Sequence, residues 1–350
     1  MKIVIVADNG VRKENFEIAF REIAKEHKVK IIEVDRSLTF TPTTNSEKSI
    51  KEYIGSPKQL VKEIDDADIL VVNYAPVTEE VMDADKNLKL IGVTRGGPVN
   101  VDLQAATKRG IFVVNAPERT VDAVADFTIG LMIAEARNLA RAYHMLKTGK
   151  VLKINPRLFG DAIIQGIELP GKTLGIIGFG RIGRAVAVRA KGFDMRMLAY
   201  DPYVKEDEFR SYSVEPVDLE TLLRESDFVS IHVRLTKETE HMIGENELRM
   251  MKKTAYLINT SRGKVVDEKA LYKALKEKWI AGAALDVVEE EPISPTNPLL
   301  ELDNVTITPH IAGLTQEVPL KSALIIADEI IKYIRGERLS RLVNKELQKL

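Results

Sequence analysis

GIELPGKTLGIIGFGRIG, residues 166–183, satisfies two phosphate-binding patterns at once. Gly166–Thr173 reads as G-x-x-x-x-G-K-S/T, the loop that cradles a nucleoside triphosphate, and Gly178–Gly183 reads as G-x-G-x-x-G, the turn that carries a dinucleotide. The flanking residues decide between them. A triphosphate loop runs from a strand into a helix, where backbone N–H groups and the helix dipole hold phosphate. Gly171-Lys172-Thr173 instead leads into LGIIG, an apolar and β-branched run, so no helix is there to cap. Pro170 also removes one of the N–H donors such a loop needs. The first pattern therefore reads as a turn entering a strand. The second has a strand-like run before it and the helical RIGRAVAVRAKG after it. Gly178 permits the tight turn, Gly180 the approach of a pyrophosphate, and Gly183 close packing of helix on strand. The following strand ends at Asp201, whose carboxylate suits the two hydroxyls of an adenosine ribose and repels a 2′-phosphate. NAD is thus expected rather than NADP.

Composition sets the frame. The chain has 350 residues, 45% apolar and 29% charged, with a net charge of −1. That length favours two domains. The charge balance gives no general affinity for nucleic acid or an anionic membrane. No apolar run approaches the roughly 18 residues of a membrane span. MKIVIVADNG reads as a core strand rather than a secretion signal, so a cytoplasmic protein is expected. Cysteine is absent, which removes disulfides and thiolate chemistry, and the five histidines lack metal-ligand spacing, so no metal is expected.

Apolar runs alternate with amphipathic stretches throughout, the pattern of parallel sheets covered by helices. The first half carries such runs at 2–7, 29–34, 68–73, 88–93 and 110–115. The second half carries six, at 174–178, 195–200, 227–233, 255–259, 281–286 and 305–308. The expected fold is α/β with two doubly wound parallel sheets, a Rossmann cofactor domain inserted into a flavodoxin-like substrate domain. The substrate domain is expected at 1–119 plus 312–350, and the NAD-binding domain at 120–311. VDAVADFTIGLMIAEARNLARAYHMLKTG has few breakers and reads as one long linking helix over 120–149. PLKSALIIADEIIKYIRG is expected to return to the first domain, because the second sheet is complete without it.

In open parallel sheets ligands sit beyond the carboxyl ends of the strands. There the second half places Asp201, His232, Asn259-Thr260-Ser261-Arg262-Gly263, Asp286 and His310. Helix and turn capping accounts for Thr260 and Ser261; it accounts poorly for Arg262 and His310. GIIGFGRIGRAVA, AYDPY, LINTSRGKVVDEKAL, AGAALDVVEEEP and ITPHIAGLT, in that order, with VTRGGPVNVD and VADFTIGLMIAEARN, resemble the NAD-dependent D-isomer-specific 2-hydroxyacid dehydrogenase family over nearly the whole chain.

The resemblance implies an oxidoreductase that moves hydride between NAD(H) and a small 2-hydroxy or 2-oxo acid such as glyoxylate, hydroxypyruvate or a related sugar acid. It implies a catalytic set of Arg262, which holds the substrate carboxylate and polarises the oxo group, His310 as acid/base, and Glu291 orienting that histidine. Glu291 is chosen from Glu289-Glu290-Glu291 because proline follows it. The implied cofactor set is Gly178, Gly180, Arg181, Ile182, Gly183, Asp201, His232, Thr260, Asp286 and Ala312. Asn73, Tyr74, Arg95, Gly96 and Gly97, after the third and fourth strands, are the implied substrate set. Two departures stand out. HVRLT has Arg234 where proline is usual, which bears on the preference for NAD over NADP. Arg95 stands where a small residue is common, either as a second anion contact or as a surface arginine. A cleft closing over substrate and a homodimer using the 120–149 helix are also implied. The alternative is an NAD-sensing regulatory or scaffold protein of the same fold.

Overall fold

The computed structural model describes residues 1–34, 49–64, 66–149 and 166–349, which include every candidate site residue. The chain divides into two compact units, residues 1–120 with 315–350, and residues 121–314.

The first unit is a five-stranded sheet. Its strands are β1 (Lys2–Ala7), β2 (Lys28–Glu33), β3 (Ile69–Val72), β4 (Leu90–Val93) and β5 (Phe112–Asn115), in the order β2-β1-β3-β4-β5. Every pairing is parallel. β3 and β4 are buried along their full length, as unbroken apolar strands in a doubly covered sheet must be. One face packs Leu60, Val81 and Ala106; the other packs Phe16, Phe20 and Ile326. Ile326 belongs to the helix Val318–Ile334, so the last long helix covers the first sheet. Gly92 of β4 admits it, since a Cβ there would lie 2.6 Å from the Ile326 side chain.

The second unit is a seven-stranded sheet. Its strands are β6 (Thr173–Ile177), β7 (Arg196–Tyr200), β8 (Glu215–Pro216), β9 (Phe228–Ile231), β10 (Tyr256–Asn259), β11 (Gly282–Leu285) and β12 (Val305–Ile307), ordered β12-β11-β10-β9-β6-β7-β8, again all parallel. The two strand orders are those of the flavodoxin-like and dinucleotide-binding sheets. In each, the order reverses beside the strand that opens it, β1 in one and β6 in the other, and a crevice follows there. β8 is a seventh strand beyond the six expected. It is two residues long and holds a proline, which the sheet edge tolerates.

The expectation of one helix over 120–149 is corrected. Helix Val121–Ala136 ends before Asn138, whose backbone is left-handed (φ 54°), and a second helix runs over Leu139–Lys147. Asparagine is among the few residues that enter this region readily. The two pieces differ as a broken helix allows. The first buries Ala125, Ile129 and Met132; the second buries none of its residues and exposes Leu139, Tyr143 and Leu146. At the break, Arg141 pairs with the buried Glu135 at 2.7 Å. Burial pushes the Glu135 carboxyl up, opposed by the hydrogen bond from Thr306 of β12 and by Arg141.

Among the described residues, no helix is long and apolar enough to cross a membrane, and no His, Asp and Glu cluster is placed to hold a metal ion.

Candidate active site

The triphosphate reading of residues 166–173 fails on its context. Gly171 is a turn residue (φ +75°) whose N–H donates to Asp194 O at 3.0 Å, and β6 begins two residues later. The dinucleotide turn follows β6. Gly178 is left-handed (φ +90°), and a Cβ on it would lie 2.9 Å from the backbone of His232 and Val233. The turn is therefore pressed against the chain leaving β9. A Cβ on Gly183 would meet Gly178 O at 2.3 Å, so the helix Arg181–Ala190 sits directly on the strand end. Gly180, the N-cap of that helix, has no atom within 4 Å of a Cβ position and no side-chain cap. This bare, open N-terminus suits a pyrophosphate.

Asp201 completes the site. Its Oδ2 accepts from Phe179 N–H at 2.9 Å and its Oδ1 from Tyr203 N–H at 3.0 Å. The carboxylate is thereby tied to the glycine turn, with lone pairs left for ribose hydroxyls. These residues fit a dinucleotide. Ile182 turns inward against the core containing Phe179, while Arg181 is exposed. The His232 ring has Nδ1 buried without a partner among the described residues and Nε2 at 2.8 Å from Ser230 Oγ. Burial pushes its pKa down to about 3, so the ring is neutral at physiological pH. Arg234 is exposed. Thr260 is buried, 2.9 Å from Thr128 Oγ1.

The three residues of the implied catalytic set stand on loops of one sheet edge, after β10, β11 and β12. His310 Nδ1 lies 2.7 Å from Glu291 Oε2. Of the three consecutive glutamates it is therefore Glu291 that meets His310. Glu289 lies 2.9 Å from His241 Nε2, and its Oε1 accepts from Glu268 N–H at 3.0 Å. His310 is half-exposed and its backbone is left-handed (φ 54°). Asp286, 1% exposed, holds that conformation. Its Oδ1 accepts from Thr308 Oγ1 (2.6 Å) and Ile311 N–H (2.9 Å), its Oδ2 from Ala312 N–H (2.8 Å), and its carbonyl from His310 N–H (2.9 Å). Asp286 and Ala312 thus form the clamp of the His310 loop.

Arg262 follows Asn259, whose Nδ2 donates to Arg262 O at 3.0 Å and whose Oδ1 accepts from Ser261 N–H at 3.0 Å. The guanidinium is exposed and donates to Ser261 O; no carboxylate pairs with it among the described residues. A fixed backbone with an uncommitted planar cation is suited to an organic acid.

In the first unit, Asn73 is 2% exposed and engaged on both sides. Its Nδ2 donates to Asp8 Oδ1 (2.8 Å) and its Oδ1 accepts from Thr94 Oγ1 (2.9 Å). Asp8 Oδ2 also accepts from Tyr74 N–H (3.0 Å). Asn73 is thus a brace for the Tyr74 loop, and Asp8 is a positioning residue that sequence reasoning missed. Gly96 and Gly97 are exposed after β4, and Asn115 Nδ2 donates to Gly96 O at 2.7 Å.

A dinucleotide turn sharing its sheet edge with an imidazole braced by a carboxylate is the equipment of a nicotinamide-linked dehydrogenase. Residues 129–312 match the family described as D-isomer specific 2-hydroxyacid dehydrogenase, NAD binding domain. A glyoxylate reductase of Korarchaeum cryptofilum is 48% identical, over 84% of this chain and 88% of that protein. A D-3-phosphoglycerate dehydrogenase of Methanocaldococcus jannaschii is 46% identical over 82% of this chain, which spans about half of it (53%). In the solved NAD-complexed D-isomer specific 2-hydroxyacid dehydrogenase of Lactobacillus delbrueckii ssp. bulgaricus the fold recurs, with a TM-score of 0.77 and 26% identity over 98% of this chain and 100% of that one. The chain belongs to the D-isomer specific 2-hydroxyacid dehydrogenase family. It is an NAD-dependent oxidoreductase acting on small 2-hydroxy or 2-oxo acids.

Two expected results concern this site. Lys172→Ala leaves NADH affinity and turnover within about twofold of wild type, as for an ordinary surface change; a tenfold loss would revive the triphosphate loop. Asp201→Asn keeps an acceptor for Phe179 N–H but removes the charge. The ratio of kcat/KM with NADPH to that with NADH is then expected to rise about tenfold or more, equivalent to about 1.4 kcal/mol. An unchanged ratio would assign cofactor choice elsewhere.

Proposed function

We propose that the protein reduces glyoxylate, hydroxypyruvate or a related small 2-oxo acid with NADH, using Arg262, Glu291 and His310. The observation that carries this is the 2.7 Å contact of His310 Nδ1 with Glu291, which leaves Nε2 as the proton-bearing atom for substrate. Bound NADH supplies the hydride. The residues of the chain supply the rest. Arg262 takes the substrate carboxylate on its fork and draws electron density from the adjacent oxo oxygen. His310 Nε2–H donates its proton to that oxygen as it becomes a hydroxyl, and Glu291 balances the charge of the imidazolium and holds its tautomer. In the reverse direction the same nitrogen takes the hydroxyl proton back. Asp286 and Ala312 keep the imidazole in place by clamping its loop.

In this reading unit 121–314 binds NAD and unit 1–120 with 315–350 binds substrate. Tyr74, Arg95 and backbone N–H groups at Gly96 and Gly97 are the first unit's substrate contacts in this reading, with Asn73 and Asp8 bracing the Tyr74 loop. A homodimer in the cytoplasm belongs to the same proposal. The exposed Leu139, Tyr143 and Leu146 lie on one stripe of the helix Leu139–Lys147, which a second copy would cover.

The test is loss of NADH absorbance with a panel of 2-oxo acids. Turnover with glyoxylate or hydroxypyruvate supports the proposal; tight NADH binding without turnover of any member would overturn it.

A further inference from the structure

Glu291 sits on the loop of residues 289–297, between β11 and the short 3-10 helix Pro298–Glu301. The loop is thinly supported. Glu290, Glu291, Pro292, Pro295 and Thr296 are exposed, and Ile293 packs only partly against the core of the second unit. The contact of Ser294 Oγ with Thr296 Oγ1 (2.9 Å) and the bond from Asn297 N–H to Ser294 O (2.9 Å) are internal to it. Among the described residues, the hydrogen bonds and ion pairs that tie this loop to distant parts of the chain run to Glu268, His241 and His310.

Glu268, the first residue of the helix Glu268–Lys276, holds the loop at both ends. At the entrance Glu289 N–H donates to Glu268 Oε2 at 2.9 Å. At the exit Asn297 Nδ2 donates to Glu268 Oε1 at 2.7 Å. The entrance is latched in both directions, because Glu268 N–H, one of the open first-turn donors of its helix, is taken by Glu289 Oε1 at 3.0 Å. His241 Nε2 lies against the same oxygen at 2.9 Å. Two carboxylates meet here, an arrangement that their repulsion disfavours. The amide of Asn297, the ring of His241 and the positive end of the helix dipole offset it. The start of the helix does not need this arrangement, since Asp267 already caps it by accepting from Ala270 N–H at 3.0 Å. What Glu268 adds is a fixed span between Glu289 and Asn297, and Glu291 lies within that span.

We infer that Glu268 is a positioning residue for the reaction, latching both ends of the loop that carries Glu291 and, through Glu291, fixing the tautomer and aim of His310. The inference rests on the catalytic reading above and deepens it. His310 Nδ1 lies 2.7 Å from Glu291 Oε2, so the neutral ring keeps its proton on Nδ1 and presents Nε2 to the substrate. A loop released at its ends gains many conformations, and few of them leave Oε2 at Nδ1. Glu268 takes no proton and touches no reacting atom; it restricts where Glu291 stands.

The experiment combines steady-state kinetics with the imidazole nitrogen shifts of protein carrying isotope-labelled histidine, the His310 signals being those absent from His310→Gln. Glu268→Ala removes the acceptor at both ends of the loop. Its kcat on a 2-oxo acid is expected to fall about tenfold, part of the roughly 10²-fold that a misplacement of about 1 Å costs, with KM and NADH affinity within about twofold of wild type. The His310 nitrogen shifts are expected to move to the positions they take in Glu291→Ala. Asn297→Asp keeps the Oδ1 that accepts from Leu299 N–H at 2.9 Å but loses the donor to Glu268, so it opens the exit alone. A change in the same direction is expected there, and this variant carries the test if Glu268→Ala does not fold. A merely structural role predicts a lower melting temperature with wild-type kcat and wild-type His310 shifts in both variants; that result would sink the inference. Loss of turnover in Glu291→Ala beside wild-type behaviour of Glu268→Ala removes the latch and leaves the catalytic reading standing. If the wild type reduces no 2-oxo acid, yet the shifts of Glu268→Ala match those of Glu291→Ala, the latch stands and the oxidoreductase role of these residues falls.

Discussion

Glutamine in place of His310 is expected to lower kcat about 10²–10⁴-fold, the range that a positioned general acid supplies. The substitution removes the transferable proton but keeps a planar, hydrogen-bonding side chain that Glu291 can still engage. His310 stands on a loop clamped by Asp286, whose oxygens take up Thr308, Ile311 and Ala312. None of those bonds involves the imidazole, so the loop should survive the change. The dinucleotide turn at Gly178–Gly183 is likewise independent of the ring. NADH affinity is therefore expected to stay within about twofold, and the loss to fall equally on kcat and kcat/KM, as for an interaction made in the transition state. Stopped-flow reduction with NADH fluorescence separates the two quantities. A mutant that turns over at the wild-type rate would remove His310 from the chemistry. One that loses NADH binding would make it a cofactor contact.

Much of the fold was legible because strand burial and strand composition coincide. The runs read as strands from apolar, β-branched composition lie in the two parallel sheets, and the helix Arg181–Ala190 starts inside the glycine pattern, directly after Gly180. What was not legible depended on single residues. Asn138 sits within a continuous helical pattern, and nothing in the periodicity marks it as left-handed. Only the general readiness of asparagine to adopt that conformation gave a signal. β8 was missed because two residues, one of them proline, make no apolar run; its pairing with Leu198 and Ala199 is a property of the edge it meets.

The site shows the same division. Asp201 was readable as a charged residue at the end of an apolar strand, and the structure ties it to the glycine turn. Asp8 carries an equivalent signal, an aspartate after KIVIVA, but its partners Asn73 and Tyr74 are some 65 residues away in sequence (|i−j| of 65 and 66). Local pattern does not reveal such pairs. The choice among Glu289, Glu290 and Glu291 rested on the following proline. The three-dimensional separation of Glu289, held by Glu268 and His241, from Glu291, held by His310, supplies the physical reason.

Alanine at Gly263 is expected to abolish most activity while leaving a folded, NADH-binding protein. A Cβ there would lie 1.8 Å from Val288 O, 2.0 Å from Val288 C and 2.6 Å from Glu289 N. All three are backbone atoms, so no rotamer change relieves the overlap. Ordinary contact requires the loop after β11 to retreat by more than 1 Å, or the turn after β10 to do so. Either movement separates groups that must act together. Glu291 Oε1 accepts from Val288 N–H at 3.4 Å and its Oε2 braces His310, so displacing Val288 displaces the carboxylate. Arg262 immediately precedes Gly263, and its carbonyl is held by Asn259, so displacing the turn re-aims the guanidinium. A misplacement of about 1 Å costs on the order of 10²-fold in rate, and overpacking of this kind costs about 1–3 kcal/mol of stability. The glycine turn that takes the pyrophosphate lies after β6 and Gly263 after β10, so NADH binding should persist, weakened only through Thr260 on the displaced turn. The measurements are kcat/KM, NADH fluorescence titration and thermal unfolding on one preparation. A lower melting temperature with undiminished kcat/KM would show that the Arg262 and Glu291 loops tolerate separation, and that catalysis does not depend on their contact.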